Sequence, residues 1–231
     1  MPSDEMTSYR SGSLTVRAFL ARPDGSGPSP GIVVIQEWWG LNDHIMDIAR
    51  RLAHEGYVAV APDLYARQGN KVTSDADEAG TLMAALRTED GVADLDAGVV
   101  HLGSLGGVDR TRIGVIGFCL GGSFAVQMAC RSRAIRASVA FYGQVPEASA
   151  LANLGCPILY HYAGADQWIT REEVQRLEAH LRGSGKPGEV VTYPGAPHAF
   201  FNDTRAANYR ATEAADAWRR SLGFFRQHLT G

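Results

Sequence analysis

The sequence predicts an α/β protein whose mostly parallel central sheet is covered by helices on both faces. Three observations carry this expectation. Residues 31–36 (GIVVIQ), 57–62 (YVAVAP) and 112–118 (RIGVIGF) are short and almost entirely apolar. Inner strands buried on both sides look like this, whereas strands of a sheet with one wet face alternate. The stretches between them carry apolar residues at helical spacing. Alternation of the two kinds of segment puts successive strands side by side in parallel, with the helices packed above and below.

Taken in order, residues 1–13 are polar and acidic, and residues 1–12 are expected to be a flexible N-terminus. Residues 14–20 mix β-formers with small and polar residues, and residues 22–30 are rich in Gly, Pro and Ser, which reads as an edge strand and a loop. GIVVIQ is the first buried strand. It delivers Glu37, Trp38, Trp39 and Gly40 at its C-terminal end, where open α/β sheets bind ligands. Asn42 or Asp43 can cap the next helix, in which Ile45, Ile48, Ala49, Leu52 and Ala53 recur before Gly56 ends it. YVAVAP follows as a strand, then a loop over 63–73 that could act as a lid, then helices over 74–86 and 91–105. After Gly106 and Gly107 the 112–118 strand turns through glycines into a helix over 123–130. Residues 135–142 and 157–162 read as strands, 171–182 as an amphipathic helix, 189–193 as a last strand and 207–229 as a long closing helix.

Length and composition narrow the function. The 231 residues, 45% of them apolar and 20% charged, fit one domain over 1–231, with no compositional break to suggest a second. A net charge of −3 without a basic block argues against nucleic acid, because phosphate binding needs clustered Lys and Arg. A small uncharged or mildly polar ligand is the better expectation. Three cysteines without a CxxC pair suggest neither a disulfide framework nor a zinc site, and no metal or cofactor is called for. The N-terminus lacks an apolar leader core and no run is long enough to span a bilayer, so the expected location is cytoplasmic, without membrane association. Oligomeric state is not fixed by the sequence, a monomer or weak dimer being expected.

The chemistry centres on Gly117-Phe118-Cys119-Leu120-Gly121. This is the pattern of a nucleophile elbow, a strained strand-to-helix turn that lifts one side chain clear of the backbone and needs small residues two before and two after it. Cysteine stands where serine is usual. A free cysteine is more often a small buried hydrophobe, so the context decides. A nucleophile needs a base, and the base needs a group to orient it. In this architecture the acid and the histidine follow the nucleophile in that order. Asp166 sits just past the 157–162 strand and His198 in the loop after the last one. Alone, Asp166 reads as a turn former and His198 as a surface residue; together they match the required order. His44, His54, His101, His161, His180 and His228 fall on predicted helices or inside a strand and are weaker candidates. The backbone N–H groups of Leu120 and Trp38 are the geometric candidates for oxyanion donors. The helix N-terminus beyond Cys119, together with His198, should favour the thiolate. Glu37, at the end of an apolar strand, either hydrogen-bonds backbone in its loop or touches Cys119, and the second is favoured.

With these residues in place, further motifs fall into line: Gln36-Glu37 with Gly40, Ala61-Pro62-Asp63-Leu64-Tyr65, Gly164-Ala165-Asp166 and His198-Ala199-Phe200. From about residue 14 to 229 the sequence resembles the dienelactone hydrolase family of α/β-hydrolases. That resemblance implies an α/β-hydrolase fold, Cys119 as nucleophile, His198 as base and Asp166 as its orienter. It also implies that Glu37 holds the resting thiol until a substrate carboxylate displaces it. The sequence departs from the dienelactone-specific members where they bind that carboxylate. Ala76 and Asn202 stand at the two positions expected to be arginine, and Gly80 and Met83 where those members carry aromatics. Arg205 or Arg67 could replace one arginine. Trp38, Trp39, Phe118, Tyr142, Trp168 and Phe200 could line an aromatic cleft for small neutral esters, with Trp38, Tyr142 and Trp168 the first choices.

The sequence thus points to a cofactor-free cysteine hydrolase of carboxylic esters or lactones, working through a thioester. Two alternatives stand beside it. One is a non-catalytic small-molecule binding protein that retains the fold. The other is a thiol redox-responsive protein, although Cys130 lies about three turns along the helix from Cys119 and Cys156 has no evident link to the site.

Overall fold

Eight strands form one sheet in the order β1-β2-β4-β3-β5-β6-β7-β8 in the computed structural model, which describes residues 2–25 and 27–229. The strands are β1 (Ser3–Ser11), β2 (Leu14–Arg22), β3 (Ser29–Ile35), β4 (Val58–Pro62), β5 (Val108–Phe118), β6 (Ala137–Phe141), β7 (Ile158–Ala163) and β8 (Gly188–Tyr193). All pairings from β4 across to β8 are parallel, while β2 runs antiparallel to both β1 and β4. Every residue of β4, β6 and β7 is buried, which is why these strands read as continuous apolar runs rather than alternating ones.

Two apolar layers sandwich the sheet. On one face α1 (Asp43–His54) and α7 (Ala211–Leu229) bury Ile45, Ile48, Leu52, Ala217 and Phe225 against the strands. On the other, α3 (Thr88–Ser104), α4 (Leu120–Arg131), α5 (Ala148–Leu151) and α6 (Arg171–Ser184) contribute Leu95, Val99, Phe124, Met128, Leu151 and Leu177. The helix starts are set locally. The Asn42 side chain accepts from the Ile45 N–H at 3.2 Å, Asp75 caps α2 (Ala76–Ala85), and Thr170 and Glu173 form a reciprocal capping box at α6.

Several expectations are corrected here. The N-terminal segment expected to be flexible contains β1, which pairs with β2 along its length. Only Tyr9 of its nine residues is buried, so no hydrophobic alternation announces the strand. Gly12, at φ +59°, turns the hairpin, and the Tyr9 hydroxyl donates to the Asp94 carbonyl at 2.8 Å, pinning the strand to α3. β2 is consequently interior rather than an edge. β5 begins four residues earlier than the apolar run, and α7 begins at Ala211 rather than at residue 207, because residues 202–209 fold into turns of their own. The 63–73 loop contains a short 3-10 turn, Ala66–Gln68. It is tied to the β3 end by the Tyr65 hydroxyl on the Trp38 carbonyl at 2.9 Å and the Thr73 N–H on the Trp39 carbonyl at 3.0 Å. Among the described residues no helix is long and apolar enough to cross a membrane.

Candidate active site

Cys119 occupies the single residue between the end of β5 and the start of α4, with φ +55° and ψ −114°. A side chain held at positive φ costs free energy and persists only when its surroundings impose it. Here they do. A Cβ on Gly117 would run into the Gly121 carbonyl, and one on Gly121 into the Ile35 carbonyl of the neighbouring strand. The two glycines therefore allow the turn to close against β3, while the Cys119 N–H donates to the Phe141 carbonyl at 3.1 Å on the β6 side. Cys119 is half-buried, whereas Cys130 and Cys156 are buried. Burial pushes the Cys130 thiol up to about 11 and the Cys156 thiol up to about 12, so both are held protonated at neutral pH.

The loop after β8 carries His198, and the loop after β7 carries Asp166. The two meet with His198 Nδ1 2.8 Å from Asp166 Oδ2. Burial alone would lower the His198 pKa. The Asp166 carboxylate, hydrogen-bonded to the ring, and the neighbouring Cys119 sulfur outweigh it and push His198 up to about 10. This favours the imidazolium, with Nδ1–H donated to Asp166. The Asn208 side chain donates to the His198 carbonyl at 2.7 Å, fixing the loop from behind. Tyr142 and Ala199 share the positive-φ conformation of Cys119, at +39° and +61°, and all three line one cavity. Backbone strain is thus gathered around the candidate nucleophile.

Glu37, 1% exposed, behaves differently from expectation. Among the described residues its hydrogen bonds go neither to backbone nor to Cys119. Oε2 accepts from Asn202 Nδ2 at 2.5 Å and Oε1 from the Tyr142 hydroxyl at 3.4 Å. Burial first, then the Glu37 carboxylate beside it, holds Tyr142 well above its ordinary range, so this phenol remains a neutral donor. Asn202 is where the sequence departs from the arginine of the resembled family, and nothing in the chain order shows that it folds back onto Glu37.

The cavity has a volume of about 730 Å³ and opens beside Cys119 and His198. Trp38, Trp39, Tyr142 and Trp168 contribute to its wall, as expected. Trp168, 61% exposed, forms the rim, edge-on to Trp38 with ring centroids 5.6 Å apart. Phe200 does not line the cavity: it is fully buried, with ring contacts to Tyr142 and Tyr193, and supports the wall from behind. Phe118 is likewise core, stacked on Phe141 and Phe201. Met83 lines the cavity, beside Leu86 and Phe124. Arg205 also lines it, its guanidinium 3.6 Å above the Trp39 ring, and makes no ion pair among the described residues. Arg67 is unavailable, being bound to Asp94 at 2.9 Å. The N–H groups of Leu120 and Trp38 donate no backbone hydrogen bond among the described residues, as oxyanion donors waiting for an acceptor would not. Ser123, at a position no sequence motif marks, accepts from the Gln144 N–H at 2.8 Å and ties α4 to the β6 loop.

The strand order, the elbow between β5 and α4 and the placement of polar side chains at the C-terminal strand ends define an α/β-hydrolase. The chain belongs to the dienelactone hydrolase family, which matches residues 16–229. This is a family of hydrolases acting on small molecules. A "Putative carboxymethylenebutenolidase" of Methylorubrum extorquens is 39% identical over 225 residues, covering 92% of this chain and 77% of the relative. A protein of the same name from Escherichia coli K12 is 38% identical over 237 residues, covering 96% and 86%. Among solved structures, a "Putative Dienelactone Hydrolase" from Klebsiella pneumoniae matches with TM-score 0.92 at 33% identity, covering 99% of this chain and 100% of the other. A dienelactone hydrolase-like promiscuous phosphotriesterase from metagenomic libraries matches with TM-score 0.91 at 25% identity, covering 100% and 99%.

Proposed function

We propose that this protein hydrolyses small carboxylic esters or lactones through a thioester on Cys119. The observation that carries the proposal is the meeting of Asp166, His198 and Cys119 at the strand ends: His198 Nδ1 lies 2.8 Å from Asp166 Oδ2, and His198 and Cys119 line the same cavity. The thiolate attacks the carbonyl carbon, forming the C–S bond and moving the π electrons onto oxygen, where the Leu120 and Trp38 N–H groups receive the charge. Collapse breaks the C–O bond, and the departing alkoxide takes the proton from His198. His198 then removes a proton from water as it attacks the thioester, and the thiolate leaves with the electrons of the C–S bond. Asp166 keeps the ring in the right tautomer throughout.

The wall of Trp38, Trp39, Tyr142 and Trp168 supports a small, flat, largely neutral substrate. Arg205, uncompensated by a carboxylate, offers a place for one negative charge away from the sulfur. The test is to measure kcat/KM for an anionic dienelactone and a neutral aryl ester of similar size, and to trap the acyl-enzyme by intact mass. A mass increment on Cys119 matching the acyl group is expected. Full activity in Cys119→Ala would overturn the proposal.

A further inference from the structure

We infer that Asn202 is a positioning residue that holds the Glu37 carboxylate off the Cys119 sulfur, so that the thiol is paired to His198 at rest and needs no substrate carboxylate to release it. This rests on the proposal that Cys119 is the nucleophile.

Glu37 and Cys119 line the same cavity, and both charges are felt by the buried Tyr142 hydroxyl. A carboxylate that close to a thiol has only one favourable interaction with it, accepting the S–H proton. In doing so it competes directly with His198 and leaves a sulfur that cannot attack. Which partner wins depends on what else satisfies the carboxylate, because a buried acceptor left without a donor is costly.

Asn202 supplies that donor, and its orientation is forced. Its Oδ1 already accepts from the Thr204 N–H at 3.0 Å and the Thr204 hydroxyl at 2.6 Å. Only Nδ2 is therefore free to face Glu37, and it donates to Oε2 at 2.5 Å. The backbone is equally fixed: the Asn202 N–H donates to the Ala199 carbonyl, and its own carbonyl accepts from Arg205. Tyr142 takes the other carboxylate oxygen. Each oxygen thus has a donor, and no hydrogen bond joins Glu37 to Cys119 among the described residues; the titratable groups that interact with Cys119 are His198, backed by Asp166, and the Tyr65 and Tyr142 phenols. A neutral amide achieves this without placing a cation beside the carboxylate, so no ion pair has to be broken for the pocket to work.

The experiment measures alkylation of Cys119 by iodoacetamide, a neutral probe, with the site read by peptide mass spectrometry, between about pH 5 and pH 9. Succinate is added in a parallel series as a carboxylate ligand. Expected for the wild type is a rate level through the neutral range and unchanged by succinate. Asn202→Leu, which keeps the volume and removes the donor, should slow alkylation roughly tenfold at neutral pH. Adding Glu37→Gln to that variant should restore most of the rate, which a purely structural role for Asn202 would not produce. Acceleration of the wild type by succinate overturns the inference, whether or not Asn202→Leu folds, and so does Asn202→Leu reacting as fast as wild type. Ester and lactone turnover is followed on the same preparations. Its absence would remove the hydrolase reading and leave the alkylation rates to decide the role of Asn202.

Discussion

Asp166 faces two ways: one carboxylate oxygen is 2.8 Å from His198 Nδ1, while the other accepts the backbone N–H groups of Trp168 and Ile169 at 2.8 and 3.1 Å. The carboxylate that holds His198 therefore also shapes the loop that carries the exposed rim of the cavity. Asp166→Asn should lower kcat by about 10,000-fold by spoiling the His198 tautomer, while Asp166→Ala should raise KM as well. Steady-state kinetics of the two variants separate the effects; equal KM values would show that the loop does not depend on Asp166.

Cys119→Ala should reduce ester and lactone turnover by at least roughly a thousand-fold, since the residual rate comes only from binding and the oxyanion donors. The same variant should bind substrate without forming the acylated mass. Retention of an acyl adduct in Cys119→Ala would place the nucleophile elsewhere.

The raised pKa of His198 has a sign that can be read in stability. In the unfolded chain the imidazole titrates near its ordinary value of 6.5, and in the folded protein at about 10. Below about pH 6.5 both states hold the proton and the contribution of His198 is fully present. Between there and about 10 the unfolded state releases the proton first, so the contribution is lost as pH rises. Urea denaturation of wild type and His198→Gln should show a stability difference that shrinks across that interval; a constant difference would deny the pairing. His161 acts in the opposite sense at lower pH. Burial, and to a lesser degree Arg220, lower it to about 3, so stability is lost as pH falls from about 6.5 toward 3.

Gly117→Ala should not give a folded enzyme at ordinary temperature. The added methyl meets the Gly121 backbone, which cannot move without opening the elbow. A loss on the order of 4 kcal/mol or more is expected, seen as a collapse of the thermal transition. A wild-type melting curve for this variant would mean that the turn has room to spare.

Arg205→Gln should raise KM for an anionic ester roughly ten- to a hundred-fold, as loss of one charge-assisted hydrogen bond does, with little change for its neutral isostere. The guanidinium is already oriented by the Trp39 ring. Equal changes for the two substrates would assign Arg205 to packing alone.

Much of the site was legible because its signals are local. The elbow needs glycine at two fixed offsets from Cys119, Asp166 and His198 follow consecutive strands, and Asn42 caps a helix through the N–H of Ile45 three residues on. Phe200 is ambiguous in the sequence because an aromatic two residues from His198 looks the same whether it faces the cavity or the core. β1 was missed because a strand with one buried residue in nine carries no periodicity. The Glu37 contact was misassigned because hydrogen-bond partners are chosen by three-dimensional competition: Asn202 lies far along the chain, and reaches Glu37 only after the 199–205 turn has formed.

By itself the sequence determined the alternation of strands and helices, the strained cysteine turn and the order of the acidic and basic partners, since each depends on backbone propensity, apolar periodicity and short spacings. Only the tertiary structure decided which polar atoms meet at the strand ends: that Asp166 holds His198, that Asn202 and Tyr142 donate to the Glu37 carboxylate, that Arg205 lines the cavity and that Arg67 is bound to Asp94. The reason is that a buried polar group takes whichever partner best satisfies its lone pairs and protons in the folded chain, and that choice is made by groups distant in sequence.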